Sequence, residues 1–253
     1  MRHYFDVAAD LLTNFDTKGY RSLWYLVTRP GFLSIEQLRG SRVRYAKPLS
    51  LFISINVVYY ISISLFGANT FTTPLAVQMN GNNYYGAFAA REVVRAVEAS
   101  GSDYAAFERS FNERTNVLSK TLIFLFIPLY AALFYGFFHR RRRYVVEHAV
   151  VATHLWAFIL LVLAVVVPAI ACLLMWWYAL PTTAAALQAN DGPVSLFLQA
   201  VLAGYLTLML RRVYHAAWPY CVAVALLIAW AFFHIVWLYR FVLFEITLRT
   251  IHP

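Results

Sequence analysis

Five long apolar stretches, separated by segments whose positive charge swings from heavy to absent, constrain this chain more than any other feature. They run from about Pro48 to Phe66, Leu122 to Phe138, Ala149 to Tyr178, Val194 to Leu210 and Pro219 to Phe241. A helix of about 20 apolar residues crosses a bilayer core, with a range of about 17–25. The third stretch exceeds that range, so it is expected to tilt, kink near Pro168, or protrude. The first, PLSLFISINVVYYISISLF, is rich in β-branched residues that would favour a strand in water. In lipid every backbone polar group must bond internally, so helix is expected there too. The fold class that follows is all-α and polytopic, with five transmembrane helices.

Composition excludes the soluble alternative. The 253 residues are 61% hydrophobic and 13% charged, against about 45–50% and about 25% for soluble domains. A soluble core of this size could not bury so much apolar surface. The net charge of +9 resembles a nucleic-acid signal. Its placement at the ends of the spans points instead to a lipid bilayer as partner, with no nucleic acid.

Charge also sets the expected orientation. Lys18, Arg21, Arg29, Arg39, Arg42, Arg44 and Lys47 precede the first span. Arg140, Arg141, Arg142 and Arg143 follow the second, and Arg211 and Arg212 follow the fourth. The segment between spans one and two is nearly balanced, and Ala179–Pro193 has no basic residue. The positive-inside rule then places the N-terminus in the cytoplasm and the C-terminus outside. Trp176, Trp177 and Tyr178 fit the outer aromatic belt, and Trp218 the inner one. The first apolar run begins only at Pro48, so the first span is expected to serve as an uncleaved insertion signal.

Residues 1–47 and the membrane domain 48–253 form the expected division. In the former, Tyr4, Val7, Ala8, Leu11, Leu12 and Phe15 repeat at helical spacing. Tyr20, Leu23, Trp24 and Val27 continue the pattern until Pro30-Gly31 ends it. Such amphipathic helices either lie on the inner leaflet or pack against the cytoplasmic ends of the spans. The outer loop, residues 67–119, carries a turn at Gly81-Asn82-Asn83 and a helix marked by Phe88, Val93, Val94 and Val97. A second helix, capped by Ser102, presents Tyr104, Phe107 and Phe111.

Ionisable groups inside a membrane are candidates for function. Glu147 and His148 sit at the mouth of the third span and His154 lies further in. Arg143 precedes Glu147 by four residues and can pair with it. His148 and His154 are six apart and point to different faces, whereas a helical two-histidine metal site wants i and i+4. His154 is expected to bond a neighbouring group and pack helices, with a lining role or metal ligation as alternatives. Asn56 and His234 are expected to make helix-to-helix hydrogen bonds, and Arg240 and Glu245 to pair or snorkel. Cys172 and Cys221 fall near opposite membrane faces, so no disulfide is expected. No P-loop, HExxH, GxSxG or acidic cluster is present, and no cofactor or metal is expected. The arginines should gather at one leaflet, either fixing topology alone or chelating an anionic headgroup or phosphate.

Three elements together carry a resemblance: Phe15-Asp16-x-Lys18-Gly19-Tyr20-Arg21-Ser22-Leu23, Leu26-x-x-Arg29-Pro30-Gly31, and Gly40-x-Arg42-x-x-Tyr45-x-x-Pro48. With Glu147-His148 through His154 and Leu210-Arg211-Arg212-Val213-Tyr214, the chain resembles a family of bacterial multi-pass membrane proteins of unknown function. The resemblance implies a bacterial inner-membrane location. It also implies one cytoplasmic-side constellation of Arg42, Tyr45, Pro48, Glu147, His148, His154, Arg212 and Tyr214. Many members carry a CxxC zinc-ribbon-like segment near the start, which has no counterpart among these residues. The candidate ligand-binding residues are therefore Arg42, Arg44, Tyr45, Arg143, Glu147, His148, His154, Arg212 and Tyr214. The expected function is binding of an anionic lipid or small anion, as a transporter component or scaffold. The alternatives are a membrane-embedded lipid-modifying enzyme using histidine acid–base chemistry, or structural partnership with another membrane protein.

Overall fold

The computed structural model describes residues 17–40, 44–66, 71–80, 84–101, 103–141, 144–166, 168–169, 172–173 and 191–251. Several expectations lie outside them: the helix within 3–16, Arg42, the turn at 81–83, Ser102, Arg142, Arg143 and the aromatic run 176–178. Among the described residues the structure is helical, without strands. In chain order the helices are α1 (Thr17–Thr28), α2 (Phe32–Leu38), α3 (Pro48–Phe66), α4 (Leu75–Gln78), α5 (Gly86–Ser100) and α6 (Tyr104–Leu122). A 3₁₀ turn (Ile123–Leu125), α7 (Phe126–Phe138), α8 (Val145–Leu161), a π-helical turn (Val162–Val166), α9 (Asp191–Tyr214) and α10 (Trp218–Ile251) follow.

Five helical stretches among the described residues are long and apolar enough to cross a membrane: Pro48–Leu65, Tyr104–Phe138, Val145–Val166, Leu196–Tyr214 and Trp218–Ile251. Leucines, isoleucine and aromatics such as Leu49, Ile53, Leu129, Leu226, Leu227 and Trp230 stay exposed on them. A soluble monomer rarely leaves so much apolar surface uncovered, whereas lipid tails cover it without cost. The protein is thus an all-α polytopic membrane protein.

The chain divides into two compact units. The first takes the described residues within Met1–Ala68 and Phe126–Trp230, and the second those within Asn69–Leu125 and Ala231–Pro253. In the first unit α8 is the central helix. Of its most apolar stretch 67% is buried inside the protein, against 33–39% for the other four spans. It packs against α3 and α7, and Trp156 stacks on Phe126 with ring centroids 4.2 Å apart.

Prolines locate the irregular turns. Pro168 has no N–H to return to the carbonyl of Ala164. The backbone opens into the π-helical turn at Val162–Val166, and Ser62 Oγ on α3 donates to the Ala164 carbonyl at 2.7 Å. A carbonyl that would otherwise face hydrocarbon is satisfied by a neighbouring span. Pro128 likewise deprives the carbonyl of Phe124, and the 3₁₀ turn Ile123–Leu125 sits there. Upstream of this turn the helix expected from Ser102 runs on through residue 119 as α6, continuous with the second apolar stretch.

The second unit has its own apolar cluster of Leu75, Ala89, Val93, Phe107, Phe111 and Phe244. α5 buries Ala89 and Val93, while Phe88 and Val94 remain exposed. Its C-terminus is closed by Gly101 at φ 63°, with the Gly101 N–H bonded to the Val97 carbonyl. α10 extends ten residues past the expected end at Phe241, and Phe244, Leu248 and Ile251 join this cluster. Glu245 pairs with Arg249 at 3.6 Å, one turn on. The Arg240 guanidinium lies over Trp237, 6.0 Å from its ring centroid. His234 is exposed on its helix. Cys172 and Cys221 are free thiols, Cys172 exposed and Cys221 buried.

Candidate functional site

The basic end of the first unit begins with the α1–α2 hairpin, which packs against α8 and α9. Pro30-Gly31 makes its turn, and Gly31 holds φ 77°, a conformation open to glycine at little cost. The second reason for glycine is proximity: a Cβ there would stand 3.0 Å from the Met209 carbonyl oxygen and 3.0 Å from Val213 Cγ2 on α9. Two polar contacts flank this approach. Tyr205 OH donates to the Leu26 carbonyl at 3.0 Å, and Arg212 Nη1 donates to the Pro30 carbonyl at 2.9 Å. The Tyr205 ring also stacks on Phe158, with centroids 3.6 Å apart. The described hairpin packs against the spans and also leaves Tyr20, Trp24 and Val27 exposed on its outer side.

His154 meets this hairpin. Its ring is 3% exposed and its Nδ1 lies 3.0 Å from Ser34 Oγ on α2. His148, fully buried, has Nδ1 2.9 Å from Tyr214 OH, with Tyr135 edge-on to its ring. Tyr214 in turn stacks on Phe138, centroids 4.1 Å apart. Six residues of helix turn the two imidazoles to different faces, so one joins α8 to the hairpin and the other joins α8 to α9.

The remaining sequence candidates separate further. Tyr45 packs edge-on against Tyr25 and Phe32, and the next residue's N–H, on Ala46, donates to Ser22 Oγ at 2.9 Å. Tyr45 thereby fixes the entry to α3. Arg44 is exposed, and Glu147 is half-buried in the first turn of α8, where a negative charge suits the helix dipole. Arg42 and Arg143 lie outside the described residues. Of the nine candidates, Arg212 lines an open cleft.

That cleft has a volume of about 540 Å³ and is lined by Thr28, Pro30, Leu208, Arg211, Arg212, His215 and Trp218. Its floor is the turn between α9 and α10. α9 ends as His215 enters the left-handed region at φ 51° and its N–H bonds the Arg211 carbonyl at 3.1 Å. Histidine is among the few non-glycine residues enriched there. Arg211 Nη1 donates to the Ala216 carbonyl, and its guanidinium lies 6.0 Å from the Trp218 ring centroid. Tyr220 OH donates to the Phe137 carbonyl at 2.9 Å, which ties the start of α10 to the end of α7. Among the described residues, the charged side chains in the cleft's lining are Arg211 and Arg212, both from the end of α9.

Thr28, His215 and Trp218 escaped the sequence reading as site residues. The one local signal was a histidine placed just past a helix ending in two arginines. What makes it a site is distance in the fold: Pro30 and Arg212 are 182 positions apart. Among the described residues no group of three or more His, Cys, Asp or Glu side chains could hold a metal ion.

Residues 16–60 match a family model described as "Protein of unknown function (DUF3667)". The match covers α1, α2 and most of α3, and ends before the partners of the hairpin on α8 and α9. No curated protein and no solved structure matches the chain.

Proposed function

We propose that this membrane protein binds a phosphate-bearing anion, a lipid headgroup or a small anion, in the cleft formed by Arg211, Arg212, His215 and Trp218. The proposed orientation keeps the cleft at the cytoplasmic face of a bacterial inner membrane, and the proposed role is that of a transporter component or scaffold. One observation carries the reading: two consecutive arginines line a single cleft of about 540 Å³ whose lining, among the described residues, has no carboxylate. Each arginine has five N–H donors in a planar fork suited to phosphate oxygens. One N–H of Arg212 holds the Pro30 carbonyl and one of Arg211 the Ala216 carbonyl, so both guanidiniums are oriented and keep further donors.

The acid–base alternative draws less from the geometry. Both candidate imidazoles are buried, each has its Nδ1 within hydrogen-bond distance of a hydroxyl, and neither lines the cleft.

The test is native mass spectrometry of the full chain from nanodiscs holding neutral and anionic phospholipid. Wild type is expected to retain anionic lipid preferentially, and Arg211→Gln/Arg212→Gln to lose that preference. Equal retention of both lipids by both proteins would overturn the reading. His215→Gly provides a second, fold-preserving variant, because glycine adopts φ 51° freely. It is expected to match or exceed wild type in thermal midpoint while weakening anionic-lipid retention.

A further inference from the structure

We infer, resting on the anion-site reading above, that the cleft selects a phosphomonoester lipid: a dianionic phosphate at the end of an acylated glycerol. Charge comes first. Arg211 and Arg212 present two full positive charges at consecutive positions, and among the described residues the lining offers no acidic group to offset either. A phosphomonoester carries about −1.5 to −2 at neutral pH and presents three oxygens. It can accept from both guanidinium forks at once. A phosphodiester carries a single charge over two free oxygens, which leaves one arginine without its counter-charge.

The apolar half of the lining supplies the second argument. Leu208 stands one helical turn before Arg211 and Arg212 on α9 and is 49% exposed, and Trp218, at the start of α10, is 51% exposed in the same lining. α9 is a span, so one turn back from its arginines leads toward the bilayer interior. A phosphate bound at Arg211 and Arg212 would leave its glycerol and first acyl carbons against Leu208 and the indole. A lipid held this way keeps its acyl chains in the bilayer and is confined to the membrane plane beside the cleft, which free phosphate is not. Tryptophan has an apolar body and a polar edge, a combination suited to this depth.

The experiment uses the full chain in nanodiscs of phosphatidylcholine doped with one of two lipids: diacylglycerol 3-phosphate, a monoester, or phosphatidylglycerol, a diester. Retention is read by native mass spectrometry, and soluble glycerol 3-phosphate and inorganic phosphate serve as competitors. The expected result is about tenfold stronger retention of the monoester, the loss of one charge-assisted contact being of that order. Little displacement by either soluble competitor is expected. Arg211→Lys keeps the charge and removes the fork, and it should reduce the preference while the thermal midpoint holds. Equal retention of monoester and diester, both lost in Arg211→Gln/Arg212→Gln, would overturn the monoester inference and leave the anion site standing. Full displacement by glycerol 3-phosphate would overturn the lipid assignment. Retention indifferent to the arginines would overturn both readings.

Discussion

Single side chains divide into those with partners and those without. Tyr130 is fully buried in α7 with no hydrogen-bond partner for its hydroxyl among the described residues, and the Asn56 Oδ1 is likewise buried and unpaired. Ser34 is equally buried, but its hydroxyl meets His154. A buried polar group left unsatisfied costs about 1–3 kcal/mol, whereas removing one that already lacks a partner costs nothing in hydrogen bonding. Tyr130→Phe is therefore expected to hold or raise the thermal midpoint in detergent. Ser34→Ala, which likewise deletes a single hydroxyl, should destabilise by about 1 kcal/mol, within the range measured for hydrogen bonds between membrane helices. Thermal unfolding of both variants checks the contrast, and equal effects would remove the argument. Residue type alone hinted at this chemistry. His154 was recognisable as a packing histidine, yet its partner lies 120 positions away and no local spacing points to it.

Elements were more legible than their joints. Apolar length set the five spans, and for the long third one a kink near Pro168 was expected alongside tilt or protrusion; the π-helical turn falls just before that proline. That Ser62 would answer the freed carbonyl of Ala164 depended on which face of α3 meets α8, and α3 is apolar almost all round. The amphipathic pattern of Tyr20, Leu23, Trp24 and Val27 indicated a helix, yet Tyr20, Trp24 and Val27 are exposed and the buried face is carried by Ser22 and Leu26. The stripe is helical, but its apolar residues Tyr20, Trp24 and Val27 face away from the spans, and the sequence pattern alone does not say which face of a helix meets its neighbours. A coupled test follows for the bend. Ser62→Ala alone should cost about 1 kcal/mol. In a Pro168→Ala background, where an N–H is restored to Ala164, the same change should cost much less. Additive losses in the double-mutant cycle would show that the hydroxyl does not substitute for the missing backbone donor.

At the scale of the whole molecule, the polytopic class followed from solvent chemistry and needed no contact information. The cleft did not, because it joins a turn near the start of the chain to one near its end. The orientation proposed from the arginine pattern predicts that reporter fusions before Thr17 and after Ile251 will score on opposite faces of the membrane. Both scoring on the same face would remove the cleft from the cytoplasmic leaflet. The Ser62 contact has a bearing on biogenesis as well. While the ribosome is still delivering α8, its Ala164 carbonyl would reach the hydrocarbon bare unless a donor were already seated beside it. The first span leaves the translocon before the third, so it can wait in the bilayer as a template. A nascent chain with that span replaced by polyleucine should stall or misinsert at the third.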